Sequence, residues 1–282
     1  MLRLAAILFA ALAVAEPPDV DTIRDRLDGY LLAYEPQLSA LVADEELFQN
    51  DSYRRRTLVS EVAFIALPGD AGWMGFRRVV KVGTKPVKDS GPSLALLLSD
   101  GARDDFDQAR LLLEQSAGHN LGAPRTINLP NLPLELLHPR HRKRFNMHIE
   151  MNEKLDGHQT VRVRFEEVMA PSIIGNPVVG DMPSTISAWV EPDTGRLRRA
   201  QVRVRDRNVV VGEPFQPTVW VNFKDDPKVG MLVPVEMREE FFVDKGRTGI
   251  GVAKYTKYRR FQTSARIVPQ GGAGWSKDPP LR

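Results

Sequence analysis

The sequence predicts an α+β fold, in which a single strongly bent antiparallel sheet, an incomplete β-barrel, is covered by an N-terminal helix and by helices from the middle of the chain. Two observations predict it. An apolar stripe at helical spacing lies near the start, and most of the chain after residue 144 alternates apolar and polar side chains between turn signals. A sheet with one apolar face cannot bury that face alone, so the helices are the available cover.

The N-terminal helix is predicted from apolar residues spaced three and four apart. This stripe consists of Val20, Ile23, Leu27, Leu31 and Tyr34. Such spacing places all five side chains on one face of an α-helix. Asp19 or Asp21 can cap its start, and we expect Pro36 to limit it.

Three strands are predicted next. Residues 38–49 fit either a helix or a strand, and we interpret them as a strand because residues 50–52, Asn-Asp-Ser, are typical of a turn. Residues 58–67 are nearly all apolar and β-rich, which predicts a central strand. After a Pro-Gly break, residues 76–82 resume as a strand.

The middle of the chain has a different pattern. Residues 93–98 and 104–116 have the composition of helices. Residues 118–139 contain four prolines, which predicts a loop-rich crossing. Its many leucines indicate that this crossing lies on the body of the protein.

After residue 144 the chain is predicted to be a succession of hairpins. The central one spans residues 186–205, where Pro192-Asp193-Thr194-Gly195 forms the turn and Ala200, Val202 and Val204 point to one face. The other alternating runs cover residues 145–152, 161–166, 219–223, 233–243 and 250–261. Consecutive hairpins that share an apolar face predict one meandering antiparallel sheet.

Residues 1–15 have the features of an export signal peptide: a basic residue, a short apolar run and a small-x-small site ending at Ala15. A buried N-terminal helix is the alternative. We expect a single domain over residues 16–266, with a helical and loop insert at about 86–144, and a flexible tail over residues 267–282. The predicted location is the periplasm or the outside of the cell.

Composition limits the chemistry. The chain has no cysteine, which excludes disulfides, thiol nucleophiles, cysteine-ligated zinc and a lipid-bearing cysteine. Its net charge of +3 does not indicate a nucleic-acid partner. Beyond the signal, no apolar run is long enough to cross a bilayer. The common nucleophile, phosphate-loop, dinucleotide and zinc-protease motifs are absent, so we expect no enzyme activity and no cofactor.

Several residue clusters allow a chemical interpretation and a simpler one. His138, His141 and His148 could bind a metal ion, since histidine is a common metal ligand. Pro139 prevents a regular helix that would align the first two side chains. We therefore favour a solvated basic turn and no metal. The basic runs at residues 54–56, 77–78 and 140–144 could contact phosphate or anionic lipid headgroups. We favour the simpler interpretation that they are charged segments on the surface. Adjacent carboxylates such as Glu45 and Glu46 point to opposite faces of a strand and form no catalytic dyad.

The apolar face of the sheet gives the main functional hypothesis. The residues expected to line it and to contact a hydrophobic ligand are Met147, Met151, Phe165, Val202, Val221, Phe223, Met237 and Phe241. Methionine and phenylalanine adapt well to acyl chains or apolar peptides. The alternatives are that this face is ordinary core in an envelope module that binds a protein partner, or that scattered residues form an envelope hydrolase.

One stretch carries a family resemblance. An N-terminal signal and helix, followed by an antiparallel half-barrel with W-V-E-P-D-T-G-R-L at residues 189–197, is similar to the outer-membrane lipoprotein carrier superfamily. The resemblance implies a lipid or lipoprotein carrier or sensor without catalytic function. The insert at residues 86–144 departs from the carriers, which leaves open whether the hollow of the half-barrel is empty or filled.

Other motifs resemble a group of exported proteins from soil bacteria of the acidobacterial type, to which no activity is assigned. They are R-R-R-T-L-V-S-E-V, G-W-M-G-F-R-R-V, R-T-I-N-L-P, V-P-V-E-M-R-E and A-K-Y-T-K-Y-R-R-F. This resemblance covers most of the chain between about residues 34 and 266.

Overall fold

The computed structural model describes residues 19–51, 53–66, 73–88, 90–91, 93–94, 114–122, 125, 127–176, 180–205, 217–244 and 247–260. The predicted signal peptide, the predicted tail and most of the two predicted middle helices lie outside the described residues. None of the described helices is both long enough and apolar enough to cross a bilayer.

The first element is helix α1, Val20–Leu38. Asp19 caps it, accepting hydrogen bonds from the backbone N–H of Thr22 at 2.9 Å and from its hydroxyl at 2.8 Å. The predicted helix and one of its two predicted caps are therefore confirmed. Pro36 does not limit the helix as expected, because α1 continues through it to Leu38.

The other elements are mainly strands. They are β1 (Leu41–Asn50), β2 (Arg55–Ala66), β3 (Trp73–Val82), β4 (Lys85–Pro86), helix α2 (Leu132–Leu137), a 3-10 helix (Pro139–Arg144), β5 (Phe145–Leu155), β6 (His158–Glu167), β7 (Gly175–Asn176), β8 (Gly180–Asp181), β9 (Ser184–Val190), β10 (Leu197–Val204), β11 (Thr218–Asp226), β12 (Met231–Asp244) and β13 (Arg247–Arg260).

Eleven strands form one antiparallel sheet in the order β4-β3-β2-β1-β13-β12-β11-β10-β9-β6-β5, and β7 and β8 form a separate small ladder. The meander expected after residue 144 is confirmed. The first and last long strands, β1 and β13, pair with each other and join the two ends of the chain into one sheet. The sheet is not closed, since β4 and β5 are its edges.

The sheet curves around α1. The helix contacts both β2 and β5, which lie eight strand positions apart. Eight spacings of about 4.8 Å would separate these strands by roughly 38 Å in a flat sheet. A helix of this length is about 28 Å long and about 10 Å across. The sheet must therefore bend, which confirms the predicted half-barrel.

A single cross-strand row shows where the core lies. In direct register, nine strands contribute Leu58, Leu47, Ala253, Met237, Val221, Ala200, Ala188, Val163 and Ile149. All are apolar, and the buried members share one hydrophobic cluster with the inner face of α1, Ile23, Leu27, Leu31, Tyr34 and Leu38. The concave face and α1 together make the core.

The turn between β9 and β10 packs directly on α1. Gly195 has φ +71°, and a Cβ placed there would lie 2.1 Å from the backbone oxygen of Arg26. The guanidinium of Arg26 donates a hydrogen bond to the backbone oxygen of Pro192 at 2.5 Å. Glycine is needed at this position for two reasons: the left-handed backbone conformation and the close approach of two backbones.

The described end of the segment 118–139 is more regular than the sequence indicates. Its proline count predicts a loop, yet residues 132–137 form α2 with Pro133 in its first turn. Proline is tolerated there because the first N–H groups of a helix have no partner within the helix. Leu134, Leu136 and Leu137 are buried and hold this short helix against the core.

We predict that Gly195→Ala lowers the free energy of unfolding by at least about 2 kcal/mol, because strain at positive φ adds to a backbone clash. Urea unfolding followed by tryptophan fluorescence measures it. Gly230→Ala is the matched control: Gly230 has the same φ of +71° with nothing within 4 Å of the added Cβ, so it should cost only about 1 kcal/mol. Equal losses in the two variants would contradict the seating of this turn on α1.

Candidate functional site

The structure places the eight predicted ligand contacts in different environments. Phe165, Val202, Val221, Phe223 and Met237 are buried in the main core, and Met147 packs against it partly buried. Phe241 belongs to a separate small cluster with Leu121. Met151 is 47% exposed, because a bulge between Ile149 and Met151 interrupts the expected alternation of β5.

The concave face has a polar half as well as an apolar one. Glu45 and Gln49 on β1, Arg77 on β3 and Glu239 on β12 are all buried. The signal for Glu239 was present in the sequence, since the alternation that turns Met237 and Phe241 inward also turns the residue between them inward. Its charge suggested a surface position, and sequence reasoning missed it.

Glu45 and Arg77 form a bidentate ion pair inside this polar half. Arg77 Nε donates to Glu45 Oε2 at 2.5 Å, and Nη2 donates to Oε1 at 2.7 Å. The same guanidinium donates to the backbone oxygen of Asn128 at 2.7 Å. Burial alone would lower the pKa of Arg77, but the charge and hydrogen bonds of Glu45 raise it above its ordinary value. The interpretation of Arg77 as a surface charge is therefore wrong.

A second cluster surrounds Glu239. Arg125 Nε and Nη2 donate to its two carboxylate oxygens at 2.9 and 2.7 Å, and Gln49 Nε2 donates at 2.8 Å. Asn120 accepts hydrogen bonds from both Gln49 and Asn128 at 2.9 Å. These contacts fasten Asn120, Arg125 and Asn128 of the insert onto the polar half of the sheet.

An apolar cleft opens at the edge of the half-barrel near the start of β3. Its volume is about 320 Å³. Most of its lining is apolar: Trp73, Met74, Ile127, Leu129, Leu132, Leu136, Ile173 and Ile174, with Gly75, Asn131, Glu135 and Gly175. Strand β3, helix α2 and the loop before β7 each supply one wall, and the lining includes members of the main core cluster.

The basic turn after α2 is anchored rather than solvated, contrary to our expectation. Arg140 Nη2 donates to Glu35 Oε1 on α1 at 2.6 Å, and Arg142 pairs with Asp28, about two helical turns earlier on α1. His141 Nε2 lies 2.7 Å from an oxygen of Glu135. The 3-10 helix therefore joins α2 to α1 through ion pairs.

The described histidine and carboxylate side chains do not form a metal site. Across the residues that the structure describes, no three histidine, aspartate or glutamate side chains converge in a way that could hold a metal ion. His138 and His141 face carboxylates on different elements, Glu35 and Glu135, and His148 lies on β5.

No protein-family model and no curated protein matches the chain. Solved structures with a similar fold include an outer membrane lipoprotein-sorting protein domain from Vibrio parahaemolyticus, at 11% identity and a TM-score of 0.43, with 83% of this chain and 90% of that chain covered. A DUF1329 family protein from Desulfovibrio piger has 10% identity and a TM-score of 0.43, covering 85% and 93%.

A LolA superfamily protein from Nitrosomonas europaea has 9% identity and a TM-score of 0.39, covering 87% and 94%. The resemblance to lipoprotein carriers expected from the sequence is thus found among solved structures. The closer resemblance to acidobacterial-type exported proteins stays a prediction.

We predict that Arg77→Met lowers the free energy of unfolding by about 3–5 kcal/mol, since it leaves the carboxylate of Glu45 buried without its partner. Urea denaturation near neutral pH measures the loss. The double variant Glu45→Leu with Arg77→Met should recover much of it, because no unpaired charge remains.

The control is Arg164→Met, which removes an exposed pair with Glu166 and should cost less than about 1 kcal/mol. A similarly small cost for Arg77→Met would show that the buried pair does not hold the polar half together.

Proposed function

We propose that this chain is an exported, non-catalytic protein that binds a hydrophobic ligand, an acyl chain of a lipid or a lipoprotein, in the periplasm or outside the cell. The observation that carries the proposal is the open apolar cleft at the edge of the half-barrel, whose walls continue into the core. Binding buries the apolar chain, and displacement by a second binding partner releases it. No covalent step is involved.

The size and chemistry of the cleft support an apolar ligand of modest cross-section. Ligand pockets commonly have volumes of about 300–1,000 Å³, and the cleft, at about 320 Å³, lies at the lower end. It suits one acyl chain better than a complete multi-chain lipid. Its carboxylate, Glu135, already accepts hydrogen bonds from the backbone N–H of Trp73 and from His141. The remaining lining favours methylene groups.

Six of the eight contacts predicted from the sequence belong to the main core or pack against it, and they remain part of the proposal as the floor beneath the cleft. Helix α2 packs on β10, the strand that carries Val202. A chain entering the cleft and shifting α2 would reach Val202, Phe165 and Met237 without crossing the polar half. Phe241 lies on the polar side beneath Arg125, whose guanidinium is 3.8 Å from the ring centre, and Met151 is exposed, so neither belongs to this floor.

An envelope protein-interaction module with a closed core is the second candidate. The specific observation in its favour is that the polar half of the hollow is occupied by the insert, with its buried charges paired inside the protein. A stoichiometric protein partner recovered from envelope extract, without bound lipid, would support this candidate over the first.

Two measurements test the ligand proposal. Native mass spectrometry of protein purified without detergent should show retained lipid, and a dansyl-labelled fatty acid should bind saturably. We predict that Ile173→Glu, which places a carboxylate in the cleft wall, weakens probe binding by at least about tenfold, because a charge opposes burial of the chain.

Val168→Glu is the matched control. It adds the same charge five residues earlier, at a side chain that is 52% exposed and outside the cleft, and should leave binding unchanged. Bare wild-type protein with no saturable probe binding would overturn the proposed function. Equal binding by the two variants would overturn the cleft as the site.

A further inference from the structure

His138 occupies the junction between α2 and the 3-10 helix. It is the C-terminal cap residue of α2 and the N-terminal cap residue of the 3-10 helix, and only 5% of it is exposed. Its Nδ1 accepts two hydrogen bonds from Arg140, one from the backbone N–H at 3.3 Å and one from Nε at 2.9 Å. The ring nitrogen facing Arg140 must therefore carry a lone pair and no proton.

The other charged groups around His138 come from all three packed elements. Its Nε2 lies 3.1 Å from Glu35 Oε2 on α1, close enough for attraction although not aligned for a hydrogen bond. Glu135 on α2 faces the same cluster, with Arg140 Nη1 3.7 Å from its Oε2. His141 binds the other oxygen of Glu135. The neutral ring with its proton on Nε2 satisfies this arrangement.

We propose that protonation of His138 at acid pH releases the 3-10 helix from α1. This release loosens the α2 wall of the cleft and expels the bound apolar chain. A proton on Nδ1 would face two N–H donors and a guanidinium, so both cap hydrogen bonds are lost. The part that concerns the ligand rests on the proposed function, whereas release of the helix does not.

The electrostatics agree in direction. Burial is the largest influence and the charge of Arg140 the next; both lower the pKa of His138 below its ordinary value of 6.5, against the opposing carboxylates of Glu35 and Glu135. The folded state thus binds this proton less readily than an unfolded chain. The stabilising contribution is complete above about pH 6.5 and is lost as the pH falls through the lowered pKa.

Glu135 is not the group that responds. Burial raises the pKa of its carboxyl, but hydrogen bonds from His141 and from the Trp73 N–H, with the charge of Arg140, bring it below its ordinary value. It therefore stays ionised while His138 takes up its proton. Glu135 also lines the cleft. Release of the 3-10 helix therefore loosens the part of the cleft wall that Glu135 and Leu136 form, which contacts the ligand.

Hydrogen exchange on the full chain tests the release. After correction for intrinsic exchange rates, amides of residues 140–144 should exchange faster at about pH 5 than at about pH 7.5, by on the order of tenfold. His138→Asn replaces the Nδ1 acceptor with an amide oxygen that does not titrate and should abolish this difference. His148→Gln, on β5 away from the cap, is the matched control and should behave as wild type.

Two results overturn the release: no acid-dependent exchange in the wild type, or the same acid dependence in His138→Asn. Nitrogen-15 NMR of the wild-type imidazole tests the same proposal without a variant, so its result does not depend on whether His138→Asn folds. A proton on Nδ1 at neutral pH, or a pKa at or above the ordinary value, also overturns it.

Binding of the dansyl-labelled fatty acid at the same two pH values tests the coupling. Wild type and His148→Gln should lose about tenfold in affinity at the lower pH, and His138→Asn should lose little. Acid-dependent exchange with unchanged probe affinity overturns the coupling to the cleft. If the wild type binds no probe at any pH, the proposed function fails together with the coupling, while the exchange result still decides the release.

Discussion

The seating of α1 in the curve of the sheet is the constraint on which the rest of the structure depends. An antiparallel sheet with one apolar face is stable only if that face is covered, and the inner face of α1 provides a large part of the cover. Directional contacts fix the helix in place: Tyr34 donates to the backbone oxygen of Leu232 at 2.8 Å, and Trp73 Nε1 donates to the hydroxyl of Ser39 at 2.8 Å. Strands that are distant in the sheet thereby share one partner.

The polar half of the hollow follows a different physical rule. Burying a carboxylate and a guanidinium costs several kcal/mol for each ion unless they are paired with good geometry. The pairs formed by Glu45 with Arg77 and by Glu239 with Arg125 meet that condition. Their energetic gain is small compared with hydrophobic burial, but they dictate which part of the insert can lie on which strand. The apolar cleft lies outside this polar half, between the start of β3, α2 and the loop before β7.

The cleft and the proposed acid-sensitive cap share one wall, α2, which the 3-10 helix joins to α1 through ion pairs. Helix α2 has only six residues, and the side chain of its N-terminal cap residue, Asn131, makes no capping hydrogen bond. So short a helix depends on packing and on its neighbours for stability. His138 caps the C-terminus of this helix, and Leu132 and Leu136 of the same helix line the cleft, which is the contact path that the proposed release would use.

The sequence by itself determined α1, the alternating strands, the turn at Gly195 and the meandering half-barrel, because these follow from local periodicity and turn chemistry. The tertiary structure alone decided the pairing of β1 with β13, the inward charges, the bulge beside Met151, the helix within the proline-rich crossing and the anchoring of the basic turn. Each of these depends on a partner far away in the chain. Buried Arg77 on β3 is paired with Glu45 on β1, across the intervening strand β2, and Arg125 is held in the hollow by Glu239, 114 residues later. Periodicity shows which face a residue occupies, but only the folded chain supplies the partner that makes a charge stable there.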